Sequence, residues 1–430
     1  MRLNSISSAL FKENRARFIG KIKDNSIAIF HSNDLMPRNG DCFFPFRQNS
    51  DLFYMTGINQ EETTLLLFPN ASNENWREVL FIRKTNEQIA IWEGHKYTQE
   101  EAKEISGISN IIWGDNFESF LGQVIPYASS IYTNINENDR FYSDVVSKDY
   151  RFTLWVKEKF PALEIERAAP LMMELRSMKH PLEIEITQKA CNITKDAFER
   201  VLRFTKPGVK EYEIEAEITH EFIKQEANGH AYEPIIASGR DSCVLHYISN
   251  NKVCKDGDIL LMDFGAEYAN YAADLSRTIP VNGKFTKRQK AVYNACLHVM
   301  KEATQMLIPG NTLDKINKEV GKIMESELLK LKLLTKADIQ NQDNKTPAYK
   351  KYFMHGISHF LGLDVHDIGN RYEPIQAGML FTCEPGIYIL EENLGVRIEN
   401  DILVTDSKPI DLMQDIPIEA DHIEEIMNKK

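Results

Sequence analysis

Four stretches in the second half of the chain carry acidic and imidazole side chains in settings that could do chemistry. The first is ILLMDFGAEYANYAADLSRT, residues 259–278. Residues 260–264 read as a buried strand. A turn around Tyr268-Ala269 would return the chain antiparallel, placing Asp263 directly opposite Asp274 on one face. Two carboxylates between apolar flanks repel each other and need a shared proton or a cation. For either aspartate alone, a solvated turn residue is an equal alternative. The second stretch is HGISHFLGLDVHD, residues 355–367, which holds three of the chain's 11 histidines. His355 and His359 have the spacing of a helical metalloprotease pair, but Gly356 stands where HExxH needs a glutamate, so that reading fails. Gly356 and Gly362 let the backbone approach a ligand closely. The third, MLFTCEPGIYI, carries Glu384 into a Pro385-Gly386 turn. The fourth, LGVRIENDILV, alternates: Val396, Ile398 and Ile402 share one face, and Arg397, Glu399 and Asp401 the other. By itself it reads as a half-exposed strand with a charged outer face.

Together these stretches supply two aspartates, one histidine and two glutamates. Such an oxygen-rich set with one imidazole suits two divalent cations bridged by carboxylates, spaced about 3.5–4 Å apart and able to activate a water. Hard oxygen donors favour manganese or a similar ion over a thiolate-type zinc site. No cysteine is required, and Cys383 is not placed as a ligand.

The elements that must position these residues fall into two regimes. Residues 5–22 read as an amphipathic helix, with β-rich runs at 26–31, 63–68 and 78–82. Helical stretches at 99–105 and 117–124 precede a short strand at 130–132. This alternation predicts a sheet with covering helices. From about Met172 the pattern changes. A helix from His180 to about Phe204 has Pro181 in its first turn, and a second covers about 211–226. Strands follow to about Pro280. The order then recurs: helices at 287–307 and about 313–334, then strands to about Thr405. Two helices followed by strands, twice over, predicts two similar halves without a residue-level repeat. The polar stretch 335–346 receives no role.

Composition narrows the function classes. Of the chain's 430 residues, 43% are hydrophobic and 27% charged, which suits a globular protein. Its net charge of −12 argues against nucleic acid or an anionic membrane as main partner. No run approaches the length of a membrane span. The start, MRLNSISSALFKENRARF, has no apolar core with a cleavage site and reads as no signal peptide. The six cysteines are scattered without a CxxC pair, which predicts free thiols in a reducing cytoplasm.

DFGAEYANYAADLSRT, HGISHFLGLDVHD, EPGIY and VRIEND together resemble the pita-bread metallopeptidases of family M24, which include aminopeptidase P, prolidase and methionine aminopeptidase. The resemblance implies that Asp263, Asp274, His359, Glu384 and Glu399 ligate two metal ions, most readily Mn2+. Asp274 and Glu399 would bridge, Asp263 would complete one ion, and His359 with Glu384 the other. It implies an α/β (α+β) chain: an N-terminal creatinase-like domain over residues 1–172, then a catalytic pita-bread domain with a curved antiparallel sheet over 173–430. FPFRQNSDLFYMTGI, residues 44–58, resembles the first-domain signature of the aminopeptidase P group, which methionine aminopeptidases lack. The implied activity is release of the N-terminal residue from peptides with proline second.

Further roles follow from the same resemblance. His246 and His366 would face substrate, and His355 would sit near the carbonyl on the leaving side. Glu384 would also move the proton. Arg397 would orient a carboxylate, with Tyr388 a weaker supporting candidate. Trp92, in IWEGHKY, is either a pocket residue or a core tryptophan. Homodimers or homotetramers in the cytoplasm are expected. An Xaa-Pro dipeptidase is the alternative, and a metal-free binding module or creatinase-like hydrolase is a further one.

Overall fold

Ser26–His31 and Thr64–Leu67 are short apolar runs buried along their whole length, so they can be satisfied only at the centre of a sheet. The computed structural model, which describes residues 6–138, 140–343 and 345–429, places them there. They pair antiparallel in the middle of a six-stranded mixed sheet. From one edge, the strands run Asn110–Trp113, Glu78–Ile82, Thr64–Leu67, Ser26–His31, Ser130–Thr133 and Glu164–Arg167. Helices Ser8–Ile19, Gln99–Ser106, Phe117–Val124 and Lys148–Lys159 accompany it, as the alternation predicts. The first helix is pinned by a buried charge. Arg15 donates to the carbonyls of Met55 and Ser106 and, at 3.1 Å, to Glu78. Trp92 is 81% exposed on the helix Glu87–Glu93, so it is no core residue.

The chain divides into two compact units between Arg176 and Ser177. The second unit shows the recurring order. Helices Pro181–Phe204 and Glu211–Lys224 precede the strands Ile235–Ser238, Ile259–Asp263 and Ser276–Pro280. Helices Lys287–Thr304 and Leu313–Lys330 precede Leu380–Cys383, Gly386–Ile389, Leu394–Arg397 and Asn400–Leu403. The ladders between these strands are antiparallel. Each helix turns an apolar stripe inward: Ile193, Ala197, Phe198 and Val201 on one, Val292, Cys296, Val299 and Met300 on another. Within 335–346 a single helical turn forms, Lys336–Gln340, capped by Thr335.

Two local expectations are corrected. The hairpin after Asp263 turns at Ala269-Asn270, both with positive φ (49° and 69°), and not at Tyr268-Ala269. Both central residues of a tight two-residue hairpin turn need that conformation, which asparagine tolerates. The register therefore moves by two residues, and Asp263 pairs with Ser276. A two-residue slip keeps every side chain on its face, so Asp274 still shares the face of Asp263. The second correction concerns residues 394–404. Arg397, Glu399 and Asp401 are 4%, 2% and 0% exposed, so this segment has no solvated outer face. Its charged side is covered by the strands of the other half.

Candidate metal centre

Asp263 ends the strand Ile259–Asp263, and Asp274 stands two residues before Ser276–Pro280. Ser276 ties this half to the other. Its hydroxyl donates to Glu399 Oε2 at 2.9 Å and accepts from Arg397 Nε at 2.8 Å, while its carbonyl accepts from the Glu399 N–H. The segment bearing His359 has no regular structure. It is held by Thr382, whose hydroxyl accepts from the His359 N–H and whose N–H donates to the His359 carbonyl. The Glu384 N–H donates to Ile357.

These ties converge the acids. Ligand atoms of Asp274, His359 and Glu399 lie within 4.8 Å of one another. His359 Nε2 is 3.4 Å from Asp274 Oδ2 and 3.6 Å from Glu384 Oε1. Its Nδ1 donates to the Phe360 carbonyl at 2.9 Å, which turns Nε2 toward the carboxylates. Asp263 joins through Tyr232, whose hydroxyl is 2.6 Å from both Asp263 Oδ1 and Asp274 Oδ1. One hydroxyl has one proton for two carboxylates. Arg397 Nη2 donates to Asp263 Oδ2 at 2.7 Å.

The electrostatics leave a deficit of positive charge. Four carboxylates face one guanidinium. Burial, then the neighbouring acids, pushes Asp274 and Glu399 well above the usual carboxylate range. Burial lifts Glu384 to about 7 against the pull of His359. Buried carboxylates this close to one another need shared protons or a cation between them. The donors, hard oxygens with one imidazole nitrogen, fit divalent ions.

Behind the acids runs a polar chain. Arg397 Nη1 donates to the Tyr388 hydroxyl at 2.9 Å, and that hydroxyl lies 2.8 Å from His355 Nε2. His355 Nδ1 is 2.8 Å from the Gly356 carbonyl, so it carries the proton, and Tyr388 donates to Nε2. Burial, with the charge of Arg397, lowers His355 to about 3, which keeps it neutral. Its Nδ1 lies 3.7 Å from Glu384 Oε2. The exposed His366 packs edge-on against His359, ring centres 4.5 Å apart. His246 is exposed, and no hydrogen bond or ion pair joins it to the cluster among the described residues.

Three contributors escaped the sequence reading. Tyr232 lies 31 residues before Asp263 in a stretch without a pattern. Ser276 sits in a strand that reads as ordinary. Asp401, fully buried, accepts from the Asp274 N–H at 3.1 Å. The one available signal was its alternation with Arg397 and Glu399.

Residues 185–406 match the profile of metallopeptidase family M24, and residues 11–132 that of the aminopeptidase P N-terminal domain. The chain is 34% identical to the Xaa-Pro aminopeptidase of Haemophilus influenzae, across 97% of each chain. Against that of Escherichia coli it is 33% identical, across 99% of each. The solved structure of aminopeptidase P from E. coli with the inhibitor Pro-Leu superimposes with a TM-score of 0.88 at 32% identity, covering 99% of both chains. Aminopeptidase PepP from Pseudomonas aeruginosa gives 0.89 at 30% identity, also across 99% of both.

Proposed function

Because the chain belongs to metallopeptidase family M24, we propose that it is a metal-dependent Xaa-Pro aminopeptidase, releasing the N-terminal residue from peptides with proline second. One observation carries the reading. Asp274, His359 and Glu399, drawn from both halves of the second unit, bring donor atoms within 4.8 Å in a buried, charge-deficient site. Full-length similarity to Xaa-Pro aminopeptidases supports the substrate class.

Asp263, Asp274, His359, Glu384 and Glu399 would hold two divalent ions, Mn2+ by donor type, with Asp274 and Glu399 shared. When bound, the ions supply Lewis acidity, lowering the pKa of a water and polarising the scissile carbonyl. Glu384 accepts the proton of the attacking water and returns it to the proline nitrogen. As that nitrogen takes the proton, the C–N bond breaks and the amine leaves neutral. Tyr388, held by Arg397, fixes the ring of His355 beside Glu384. His246 and His366 are exposed, and each offers an N–H to a peptide backbone or to developing charge. Proline has no N–H, so the bond before it suits a site that does not need that donor. We propose further that the enzyme is cytoplasmic and assembles as a homodimer or homotetramer. Among the described residues no helix is long and apolar enough to cross a membrane.

The test is cleavage of Ala-Pro-Ala and Ala-Pro after chelation and return of manganese. Release of alanine from the tripeptide, dependent on the metal, is expected. Efficient cleavage of the dipeptide alone would make the protein a prolidase. Failure to bind metal or to regain activity would instead identify a binding module.

A further inference from the structure

A buried carboxylate that is no part of the metal centre holds the loop that carries His246. Glu211 opens the helix Glu211–Lys224 and is 0% exposed. Its Oε1 accepts from the Ser238 N–H at 2.8 Å and from the Ser238 hydroxyl at 2.7 Å. Its Oε2 accepts from the Tyr247 hydroxyl at 2.8 Å and from the Lys252 N–H at 2.9 Å. The Glu211 N–H in turn donates to the Lys252 carbonyl at 3.0 Å. A backbone N–H can only donate, so both carboxylate oxygens are needed as acceptors whatever the two hydroxyls do. Lys252 gives its ammonium to Asp241 instead, above the Tyr247 ring.

These bonds close a loop at both ends. Ser238 ends the strand Ile235–Ser238, and Lys252 lies where the chain returns beside the helix start. Residues 239–251 run between them, opening on the short helical turn Gly239–Cys243. Asn250 adds a tie at the base: it accepts from the Ile236 N–H at 2.9 Å and donates to the Pro234 carbonyl at 2.9 Å. Towards the middle of the loop His246 is exposed, Tyr247 buried and Ile248 exposed. The Tyr247 ring packs in an apolar cluster with Ile235, Ala237, Leu261 and Tyr388, while its hydroxyl rests on Glu211. The residue next to His246 is therefore fixed at both its ring and its hydroxyl. Untied loop residues sample many conformations, and misplacing a reacting group by about 1 Å can cost 100-fold in rate.

We propose that Glu211 is a positioning residue of the peptidase site. It orders residues 239–251 through Ser238, Tyr247 and Lys252, and so presents His246 to the substrate. This rests on the Xaa-Pro aminopeptidase reading, in which His246 meets the peptide.

Glu211→Gln keeps the shape but sets an amide NH2 against at least one backbone N–H. Hydrogen exchange on the full chain, which needs no turnover, should quicken across 239–251 by at least about tenfold. With manganese and Ala-Pro-Ala, kcat/KM should fall by about 10–100-fold while metal content is retained. The decisive arm is the His246→Ala background. There Glu211→Gln should cost less than about twofold more, because both changes remove the same contribution. Should Glu211→Gln fail to fold, Tyr247→Phe deletes one hydrogen bond and keeps the ring. It should show the same pattern at about 3–10-fold. Unchanged exchange, unchanged kcat/KM, or full additivity with His246→Ala would overturn the proposal. An unmodified chain that binds manganese but leaves Ala-Pro-Ala intact would refute the underlying reading and this role with it. That failure is told apart because the exchange result does not depend on turnover.

Discussion

Asp263 and Asp274 each lie 2.6 Å from the single hydroxyl of Tyr232, and among the described residues only Arg397 forms an ion pair with Asp263. At the scale of residues, burial and the neighbouring Asp263 push Asp274 well above the usual carboxylate range, so its ionised form depends on a cation. Asp274→Ala removes a donor that would serve both ions. It should abolish stoichiometric manganese binding, measured by elemental analysis, and lower kcat/KM by roughly 1,000-fold or more, since metal ions supply several kcal/mol of charge stabilisation. Circular dichroism should show the fold kept. Full activity in that variant would refute the ligand assignment. Tyr388→Phe makes a finer cut. It deletes the hydroxyl between Arg397 and His355 but leaves every proposed ligand. Steady-state kinetics on Ala-Pro-Ala should show kcat lower by about 10–100-fold with metal content retained, the usual cost of losing a supporting hydrogen bond.

The element that matters most is the hairpin from Ile259 to Pro280. Alternation alone places Asp263 and Asp274 on one face, because faces follow parity. It does not set which residues pair, because that depends on where the chain can adopt positive φ. Ala269-Asn270 decides it, and the ladder shifts by two from the expected register. Gly265 lets the two strands close between the aspartates: a Cβ there would lie 1.7 Å from the Ala273 carbonyl oxygen. Gly265→Ala should therefore destabilise the protein by about 1–3 kcal/mol, read from the urea midpoint, and lower activity by spreading Asp263 from Asp274. An unchanged midpoint would show that the strands yield without cost. The strand Leu394–Arg397 depends on another close approach. Gly395 brings its N–H to the Ser242 hydroxyl at 2.8 Å, beside the turn that leads to His246.

At the scale of the whole molecule, donors from both halves of the second unit meet in one site, so cations bound there hold the halves together. Ions that bind only the folded state add stability by mass action, about 2.7 kcal/mol when free metal is a hundredfold above its Kd. Chelation should lower the thermal midpoint by several degrees, and manganese should restore it. Asp274→Ala should show neither change. A midpoint indifferent to chelation in the unmodified protein would argue against metal in this site.

Much of this was legible in order and type. The helix-helix-strand succession follows from hydrophobic periodicity, which is a local property of the chain. The acids and histidines stand out because carboxylates within apolar runs are costly wherever they end up. Tertiary structure alone decided three other matters. It buried Arg397, Glu399 and Asp401, where alternation predicted a solvated face, because a strand cannot record what will cover it. It recruited Tyr232 from a featureless stretch, because a hydrogen bond needs proximity in space and not in sequence. It brought Asp274, His359 and Glu399 within 4.8 Å, because donors 125 residues apart in the chain meet only when the two halves of the second unit pack together.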